Sequence, residues 1–381
     1  MVNNSKFFAS PQAAAIYKHQ LIKRYIPAWA GKVGSTSTGK RVVVYDAYSG
    51  PGRYENEAPG SPEILLDTAV AMATLRSVYS VFSEKEQAYL DKLRAMLTDK
   101  GVAPDTYDVK QGPVEQHIDD VVALARDLPL FVFLDPYGFT LPFDRMVHLL
   151  KCRDKAGHYS TLLQPKTEVL INFSFEAVRR TAGALTSDKD YAAREGHINS
   201  LTSFLGGEWW KQILLSGDDD WVQQVLQRYA DEVSKATGYA YITASVADSL
   251  TAEPVYELIL FTRHPDGLWK MMDAMSQARK HWRDWLVARR EEATAGQAEF
   301  RGLDWDDNED AWVEEMASNI ERILAAHPSF VIENMLGEVL GRTLGLARET
   351  HIRKALRVVK EHGVIADVPK GSLQRAYIAR K

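Results

Sequence analysis

The strongest constraint on the fold is a regular alternation of short apolar segments with segments of helical periodicity. The apolar segments are Lys40–Tyr48, Val78–Ser83, Thr106–Lys110, Leu130–Leu134 and Glu168–Phe173. Continuous apolar runs such as Val42-Val43-Val44-Tyr45 are typical of strands buried on both faces. Strands that alternate with helices at this spacing predict an α/β protein whose parallel sheet is covered by helices.

Two further strand-like runs come late in this region, Tyr239–Ala247 and Val255–Arg263. They lie close together in the chain, which favours an antiparallel pair at the end of the sheet. Residues 176–236 between the fifth strand and this pair are expected to be a mostly helical insertion. A mostly parallel sheet with an antiparallel terminal pair is typical of the Rossmann-like class I methyltransferase fold. We expect this domain to occupy residues 1–295.

The C-terminal region differs in charge. Residues 342–381 carry ten Lys and Arg but three Asp and Glu, a net charge of +7 in a chain whose total is −5. Residues 303–315 carry seven acidic residues and no basic ones. Such asymmetry predicts an acidic linker, 296–315, and a separate basic domain, 316–381.

Three helical segments and turn-rich termini predict a winged helix-turn-helix domain over residues 316–381. The helices are expected at Ala311–Ala326, Val331–Arg342 and Arg348–His362, and a wing is expected from 363–365 and 374–379. Arg353, Arg357 and Lys360 recur on one face of the third helix and predict a nucleic-acid-binding stripe. The alternative is that this domain serves as a lid or a dimer contact.

The segment Asp46-Ala47-Tyr48-Ser49-Gly50-Pro51-Gly52 follows the first strand, where open parallel sheets bind ligands. It is neither the dinucleotide fingerprint nor a P-loop, because the required glycine or Gly-Lys-Ser/Thr does not follow. A sulfonium amino-acid cofactor needs no phosphate cradle, so the segment favours S-adenosylmethionine (SAM). The cofactor-binding residues predicted on this basis are Asp46, Ser49, Gly50, Gly52, Glu84 and Gln111. A glycine- and proline-rich turn beside a capping acid is the alternative.

Two of these residues come from later strands. Glu84 ends the second strand, where a carboxylate can hold both ribose hydroxyls of a nucleoside. Gln111 follows the third strand, where it would flank the adenine. The alternative for Glu84 is a solvated charge in the Ser-Glu-Lys-Glu stretch.

A third motif, Asp135-Pro136-Tyr137-Gly138, follows the fourth strand. An amino group conjugated into a base becomes more nucleophilic when acceptors take hydrogen bonds from its N–H groups. Asp135 and the Pro136 carbonyl can act as such acceptors, and Tyr137 can stack on the base. We therefore predict these three as catalytic residues. Asp-Pro-Tyr-Gly is equally suited to a simple turn.

Several segments resemble the three-Cys-motif partner protein (TcmP) family, over roughly residues 12–290. They are Lys18-His19-Gln20 with Tyr25, the segment from Tyr45 to Tyr54, Gly60-Ser61-Pro62, Asp135-Pro136-Tyr137-Gly138, and Leu258–Met272 with His264 and Gly267. The resemblance implies a SAM-dependent methyltransferase-like protein. It also implies a partner that carries three cysteines and resembles radical-SAM proteins with an iron–sulfur cluster.

The motifs are also similar to those of adenine-N6 methyltransferases of nucleic acids. Those enzymes carry Asp-Pro-Pro-Tyr, so Asp135 and Pro136 correspond by position and the stacking aromatic does not. The leading hypothesis is a SAM-dependent methyltransferase that acts on nucleic acid. A catalytically silent nucleic-acid-binding module for the three-cysteine partner, and a methyltransferase of small molecules or proteins, are the alternatives.

The single cysteine, Cys152, excludes disulfides within this sequence and fits a reducing cytoplasm. We expect it to be a packed side chain. No apolar run approaches the roughly 20 residues that a bilayer crossing needs, so no membrane association is expected. The histidines show no metal-ligand spacing, and no metal is expected.

Overall fold

The computed structural model describes residues 11–136, 138–139, 141–154, 166–186, 194–249, 252–294 and 308–381. Tyr137, predicted as a catalytic residue, lies outside the described residues. The chain divides into two compact units, Met1–His264 and Pro265–Lys381.

The first unit is built on a seven-stranded sheet. Its strands are β1 Arg41–Asp46, β2 Ser77–Glu84, β3 Tyr107–Gln111, β4 Leu130–Leu134, β5 Thr167–Ser174, β6 Ala240–Val246 and β7 Tyr256–Thr262. They lie in the order β3-β2-β1-β4-β5-β7-β6. Neighbours from β3 to β5 are parallel, whereas β7 runs antiparallel to both β5 and β6. The predicted mostly parallel sheet with an antiparallel terminal pair is confirmed.

The strands occupy the predicted segments because their apolar residues are buried according to their place in the sheet. All five residues of β4, near the centre, are buried. At the edge, β3 is only half-buried or exposed along its length. This gradient is expected of a sheet covered on both faces, where central strands lose all contact with water.

Helices of the first unit precede the sheet or connect its strands. They are α1 Ala13–Val33, α2 Ser61–Met72, α3 Gln87–Asp99, α4 Ile118–Ala125, α5 Phe143–Lys151, α6 Phe175–Thr186, α7 Arg194–Leu205, α8 Trp210–Ser216 and α9 Trp221–Thr237. The last four form the predicted helical insertion. Pro62 lies in the first turn of α2, as predicted, where its missing N–H costs no helical hydrogen bond.

Aromatic side chains join the insertion to the sheet. Phe204 of α7 stacks on Tyr229 of α9 with ring centroids 4.8 Å apart, and Phe173 of β5 contacts both rings. These rings are fully or almost fully buried in the main hydrophobic core. The insertion is therefore part of the core of this unit and not a peripheral addition.

Cys152 caps the end of α5 and is exposed, so the prediction that it is packed is wrong. It lies two residues beyond Leu150, the last buried residue of α5. Desolvation of the thiol nevertheless raises its pKa, which disfavours the reactive thiolate.

In its described residues, the second unit combines four α-helices with a small antiparallel strand pair. The helices are α10 Pro265–Thr294, α11 Glu309–Ala326, α12 Leu336–Leu340 and α13 Glu349–Glu361. The strands, β8 Ser329–Val331 and β9 Tyr377–Ala379, pair antiparallel. Helices thus occur in the three segments predicted for the basic domain. The expected pairing of 363–365 with 374–379 is not seen in the described residues: β9 pairs with β8, and Ile365 forms an isolated bridge to Arg380, just beyond that range.

Part of the acidic segment is helical. Asn308 caps α11 by accepting a hydrogen bond from the Ala311 N–H over 3.0 Å. Glu309 and Asp310 then occupy the first helical turn, where negative charge interacts favourably with the helix dipole. None of the helices in the described ranges combines the length and apolar character needed to cross a bilayer.

Candidate functional site

A cavity of about 910 Å³ opens in the first unit at the carboxyl ends of β1, β4 and β5. Its wall includes Ser49, Gly50 and Gly52 from the predicted cofactor-binding set. Asp135 and Pro136, predicted as catalytic, line the same cavity. Two motifs more than 80 residues apart in the chain therefore meet in one space, within the size range of ligand sites.

The turn after β1 depends on its glycines. Gly50 and Gly52 adopt φ values of +61° and +83°, which other residues reach only under strain. A Cβ on Gly52 would lie 2.6 Å from the terminal methyl of Met96 of α3, which is flexible, so the positive φ is the stronger reason for glycine at this position. Gly60 donates from its N–H to the Gly52 carbonyl over 2.9 Å, and a Cβ there would meet that oxygen at 2.7 Å. The turn and the start of α2 are held in close backbone contact.

Glu84 at the end of β2 supports this turn. Its Oε2 accepts a hydrogen bond from the Gly50 N–H over 2.8 Å, and its Oε1 accepts one from the Glu86 N–H over 2.7 Å. Ser49 N–H donates to the Ser83 carbonyl over 3.0 Å. Desolvation raises the pKa of Glu84, and the backbone donors oppose that rise. Each carboxylate oxygen keeps a further lone pair for a ligand hydroxyl.

Asp46 ends β1 and is fully buried. Its Oδ1 accepts a hydrogen bond from the Tyr48 N–H over 3.4 Å, whereas its Oδ2 has no hydrogen-bond partner among the described residues. Burial, with a smaller contribution from the nearby Asp135 charge, raises the pKa of Asp46 to about 7 against the opposing effects of Ser61, the Tyr48 N–H and Lys18. A buried unpaired carboxyl oxygen is costly, and a cationic or hydrogen-bonding ligand would offset that cost.

Gln111 is less closely connected to the cavity. It lies opposite Glu84 in the β2–β3 register, so it is at the same edge of the sheet. Its side chain is exposed and donates to Gln87 Oε1 over 2.6 Å. The structure thus places Gln111 beside the predicted ribose acceptor, at the surface.

Asp135 is held on both sides by other side chains. Its Oδ2 forms an ion pair with the Lys18 ammonium of α1. Its Oδ1 accepts a hydrogen bond from Asn172 Nδ2 of β5 over 2.8 Å. The carboxylate is thus fixed between α1 and β5, two elements that are more than 130 residues apart in the sequence.

Several cavity residues were not predicted to have a role. His19 of α1 is buried, and burial with the adjacent Lys18 charge lowers its pKa to about 3, so its imidazole is neutral. Its ring packs edge-on against Tyr54 at 5.9 Å. Tyr256 of β7 donates from its hydroxyl to the Ala14 carbonyl over 2.6 Å and joins α1 to the sheet. Asn172 is a polar residue inside the apolar run EVLINF, and this break in the run is the sequence signal for its position in the cavity.

The predicted basic stripe lies in the second unit. Arg353 is half-buried and donates to the carbonyls of Pro369 and Gly371, so it holds the turn that follows α13. Lys360 forms an exposed ion pair with Asp367 at 2.8 Å. Arg357 is exposed. Arg353 is therefore engaged within the protein, and Arg357 and Lys360 are the members of the stripe that face solvent.

Asp46 and Glu84 are not among the residues that line the cavity, but both contact the turn that does, Glu84 through the Gly50 N–H and Asp46 through the Tyr48 N–H. The Gly50 turn brings backbone to the cavity wall. Within the described parts of the chain, no group of three or more His, Cys, Asp or Glu side chains is arranged to hold a metal ion.

Comparison with known proteins gives a likeness of fold only. No family model and no curated protein matches this sequence. Among solved structures, the METTL16 MTase domain is 9% identical, with 64% of this chain and 83% of that chain covered and a TM-score of 0.30. The plantazolicin methyltransferase BamL, solved with a triazolic desmethylPZN analog and SAH, is 8% identical, with 64% and 86% covered and a TM-score of 0.34.

A human methyltransferase 10 domain containing protein is 9% identical, with 64% and 83% covered and a TM-score of 0.30. Sequence identities and TM-scores this low do not support a fold assignment. The fold is assigned from the order and direction of the strands. A sheet ordered β3-β2-β1-β4-β5-β7-β6 with β7 reversed is a methyltransferase-like Rossmann fold.

Proposed function

We propose that this protein is a SAM-dependent methyltransferase that acts on the amino group of a base in nucleic acid. The observation that carries the proposal is the shared cavity. It brings the Gly50–Gly52 turn and the Asp135-Pro136 pair together at the carboxyl ends of adjacent parallel strands. This is the edge at which open α/β sheets bind ligands.

In this proposal, residues of β1 and β2 hold the cofactor. Asp46 would accept from its amino group, Glu84 would accept from its ribose hydroxyls, and the backbone of Ser49, Gly50 and Gly52 would line its path. Gln111, at the surface beside Glu84, would border the adenine. Bound SAM supplies an electrophilic methyl group on a sulfonium centre.

Asp135 and Pro136 would act on the substrate. A carboxylate oxygen and a rigid carbonyl near the cavity would accept the two N–H groups of the base. Accepting these hydrogen bonds directs the nitrogen lone pair toward the methyl group and makes the amine a better nucleophile. Asp135 retains lone pairs for this role beside its contacts with Lys18 and Asn172. Tyr137 is the proposed stacking surface.

The second unit would supply nucleic-acid affinity. We propose that residues 316–381 are a winged helix-turn-helix domain, with Arg357 and Lys360 contacting phosphates and Arg353 supporting the adjacent turn. A three-cysteine, radical-SAM-like protein is the proposed partner, and the cytoplasm is the proposed location. Both of these rest on the sequence resemblance and the single cysteine.

A catalytically silent binding module is the second candidate function. One observation favours it, since both oxygens of Asp135 already have partners within the protein. In that case the fold and the basic unit would present nucleic acid to the three-cysteine partner without transferring a methyl group.

The two functions separate in one experiment. The protein is incubated with methyl-labelled SAM and cellular DNA or RNA, with and without the partner, and the nucleosides are analysed by mass spectrometry. The enzyme proposal expects a methylated nucleoside that disappears in Asp135→Ala, while calorimetry shows SAM affinity nearly unchanged. SAM binding without any methylated nucleoside supports the module, and absence of SAM binding overturns the enzyme proposal.

A further inference from the structure

We propose that Arg180 of α6 binds a phosphate of the target nucleotide and so holds its base against Asp135 and Pro136. This inference rests on the proposed function and adds a phosphate subsite to it. Arg180 is exposed and lines the same cavity as Asp135 and Pro136. It belongs to neither of the strand-end motifs and lies outside the basic C-terminal region.

The cavity is lined by four basic residues in the part of the chain that the structure describes, and three of them are already accounted for. The Lys18 ammonium is paired with Asp135. The Arg53 guanidinium donates to both carboxylate oxygens of a glutamate on α2, over 2.7 and 2.9 Å. His19 is neutral, because burial lowers the pKa of its imidazole to about 3. Arg180 is therefore the lining cation whose charge is left for a ligand.

The surroundings of Arg180 differ from those of the arginine beside it. Arg179 forms an ion pair with Glu253 at 3.1 Å, lies 5.8 Å from the centre of the Phe175 ring, and does not line the cavity. Among the described residues, Arg180 has neither a hydrogen-bond nor an ion-pair partner. A free guanidinium offers five N–H donors in a planar fork that matches the oxygens of a phosphate.

The position of Arg180 favours an anion of the substrate over one of the cofactor. The sheet order β2-β1-β4-β5 puts the predicted cofactor residues of β1 and β2 on one side of Asp135, which follows β4. Helix α6 follows β5 and lies on the other side. Neighbouring strands are about 4.8 Å apart, so β5 is on the order of 10 Å from β1. A flipped nucleotide turns out of the stack about its own backbone, and its phosphates stay on the substrate side.

A phosphate contact at Arg180 would fix the register of the nucleotide. Phosphate contacts position a nucleic acid, whereas base contacts specify its sequence. Held at its phosphate, the nucleotide would present its base amino group to Asp135 and the Pro136 carbonyl. Glu176, four residues before Arg180 on α6, is exposed and lines the same cavity, so its charge opposes a phosphate there. Removal of that charge should strengthen phosphate binding.

The test compares nucleotides with the nucleoside that lacks their phosphate. The full-length protein saturated with S-adenosylhomocysteine is titrated by calorimetry with adenosine and its 5′- and 3′-monophosphates, and with the corresponding cytidine compounds. We expect one monophosphate to bind about threefold to tenfold more tightly than its nucleoside. In Arg180→Gln this ratio should fall to about one, with S-adenosylhomocysteine affinity unchanged.

Arg179→Gln is the matched control. It removes the same charge from the same helix, but from a side chain that does not line the cavity. The ratio should stay as in the wild type, which separates a direct contact from a general loss of positive charge. Glu176→Gln should raise the ratio by about twofold, because a negative charge beside the phosphate is removed. A ratio that does not rise in this variant would place the phosphate elsewhere and count against the inference.

Loss of the phosphate preference in Arg180→Gln, and its persistence in Arg179→Gln, supports the inference. If both variants lose the preference equally, or if neither loses it, the inference is overturned. Weaker S-adenosylhomocysteine binding by Arg180→Gln, with an unchanged ratio, assigns Arg180 to the cofactor carboxylate and also overturns it. A wild type without any phosphate preference overturns the inference alone, since the proposed function fails only if the methylation experiment yields no methylated nucleoside.

Discussion

The Gly50 N–H donates a hydrogen bond to Glu84 Oε2 over 2.8 Å and so ties the turn after β1 to the end of β2. Glu84 thus has a structural contact and a proposed ligand contact on one carboxylate. Its substitution is expected to affect both the shape of the turn and the binding of a nucleoside.

Glu84→Ala should weaken SAM binding by at least about tenfold, because one or two hydrogen bonds to a charged acceptor are removed. Isothermal titration calorimetry on the full-length protein measures this directly. Glu208→Ala removes an exposed carboxylate, 70% accessible, from another part of the same unit and should have no effect. Equal affinity in the Glu84 variant and the wild type would contradict the ribose role.

SAM binding should release a proton from Asp46. Burial raises the pKa of Asp46 to about 7 in the free protein, so the carboxyl is largely protonated below that pH. A ligand ammonium favours the ionised form. Affinity should therefore fall as pH drops below 7, by up to about tenfold per pH unit.

Calorimetry at several pH values, in buffers with different ionisation enthalpies, counts the released protons. In Asp46→Asn the affinity should be weaker at pH 8 and nearly independent of pH. A wild-type affinity that stays constant from pH 6 to pH 8 would exclude this role for Asp46.

Glu168 should make the protein less stable as pH rises. It is buried between α1 and β7, where it accepts hydrogen bonds from the Tyr25 hydroxyl over 2.5 Å and the Thr262 hydroxyl over 2.8 Å. Burial raises the pKa of Glu168 to about 7 from its ordinary 4.5. The folded state therefore binds the proton more tightly, and this stabilising effect is lost as pH rises through about 7.

Glu168→Gln keeps an acceptor for Tyr25 and removes the titration. Relative to the wild type, its unfolding free energy should increase by on the order of 2 kcal/mol between pH 5 and pH 8. Urea unfolding at the two pH values measures the difference, with the exposed Glu208→Gln as the control. A constant difference between variant and wild type at both pH values would count against a titrating Glu168.

Arg357 and Lys360 should contribute to nucleic-acid affinity through charge. Arg357→Glu with Lys360→Glu should weaken binding similarly for different sequences. The slope of log K against log salt should also fall by about 1 for each phosphate that the variant no longer neutralises. Lys92→Glu with Lys235→Glu makes the same change in net charge on exposed residues of the first unit. If the two double variants reduce nucleic-acid affinity equally, or if neither reduces it, the basic unit does not bind nucleic acid through this stripe.

Arg353 should behave differently from its two neighbours. Its contacts with the carbonyls of Pro369 and Gly371 hold the turn between α13 and β9. Arg353→Glu is therefore expected to lower the thermal stability of the protein, in addition to any effect on binding, whereas Arg357→Glu should not. Thermal unfolding of the two single variants separates these effects, and equal melting temperatures would show that the turn does not depend on Arg353.

The amino-acid sequence by itself determined which segments form the strands of the sheet. It also determined that the Asp46 and Asp135 motifs lie at the carboxyl ends of their strands. Apolar runs such as Leu130–Leu134 can be buried only in the interior of a sheet, and Asp46 and Asp135 follow their strands directly. Local composition is enough for such predictions because hydrophobic periodicity and turn chemistry act over a few residues.

Only the tertiary structure decided which side chains share the cavity and what each one contacts. The Lys18–Asp135 pair joins residues 117 positions apart, and the Asn172–Asp135 contact joins residues 37 apart. The packing of Gly52 on Met96 and the hydrogen bonds from Arg353 to the turn after α13 are likewise not evident from the local sequence. Contacts between residues far apart in the sequence depend on how the helices pack across the sheet. Many side chains fit a given strand position equally well, so local sequence does not show which of them will be in contact.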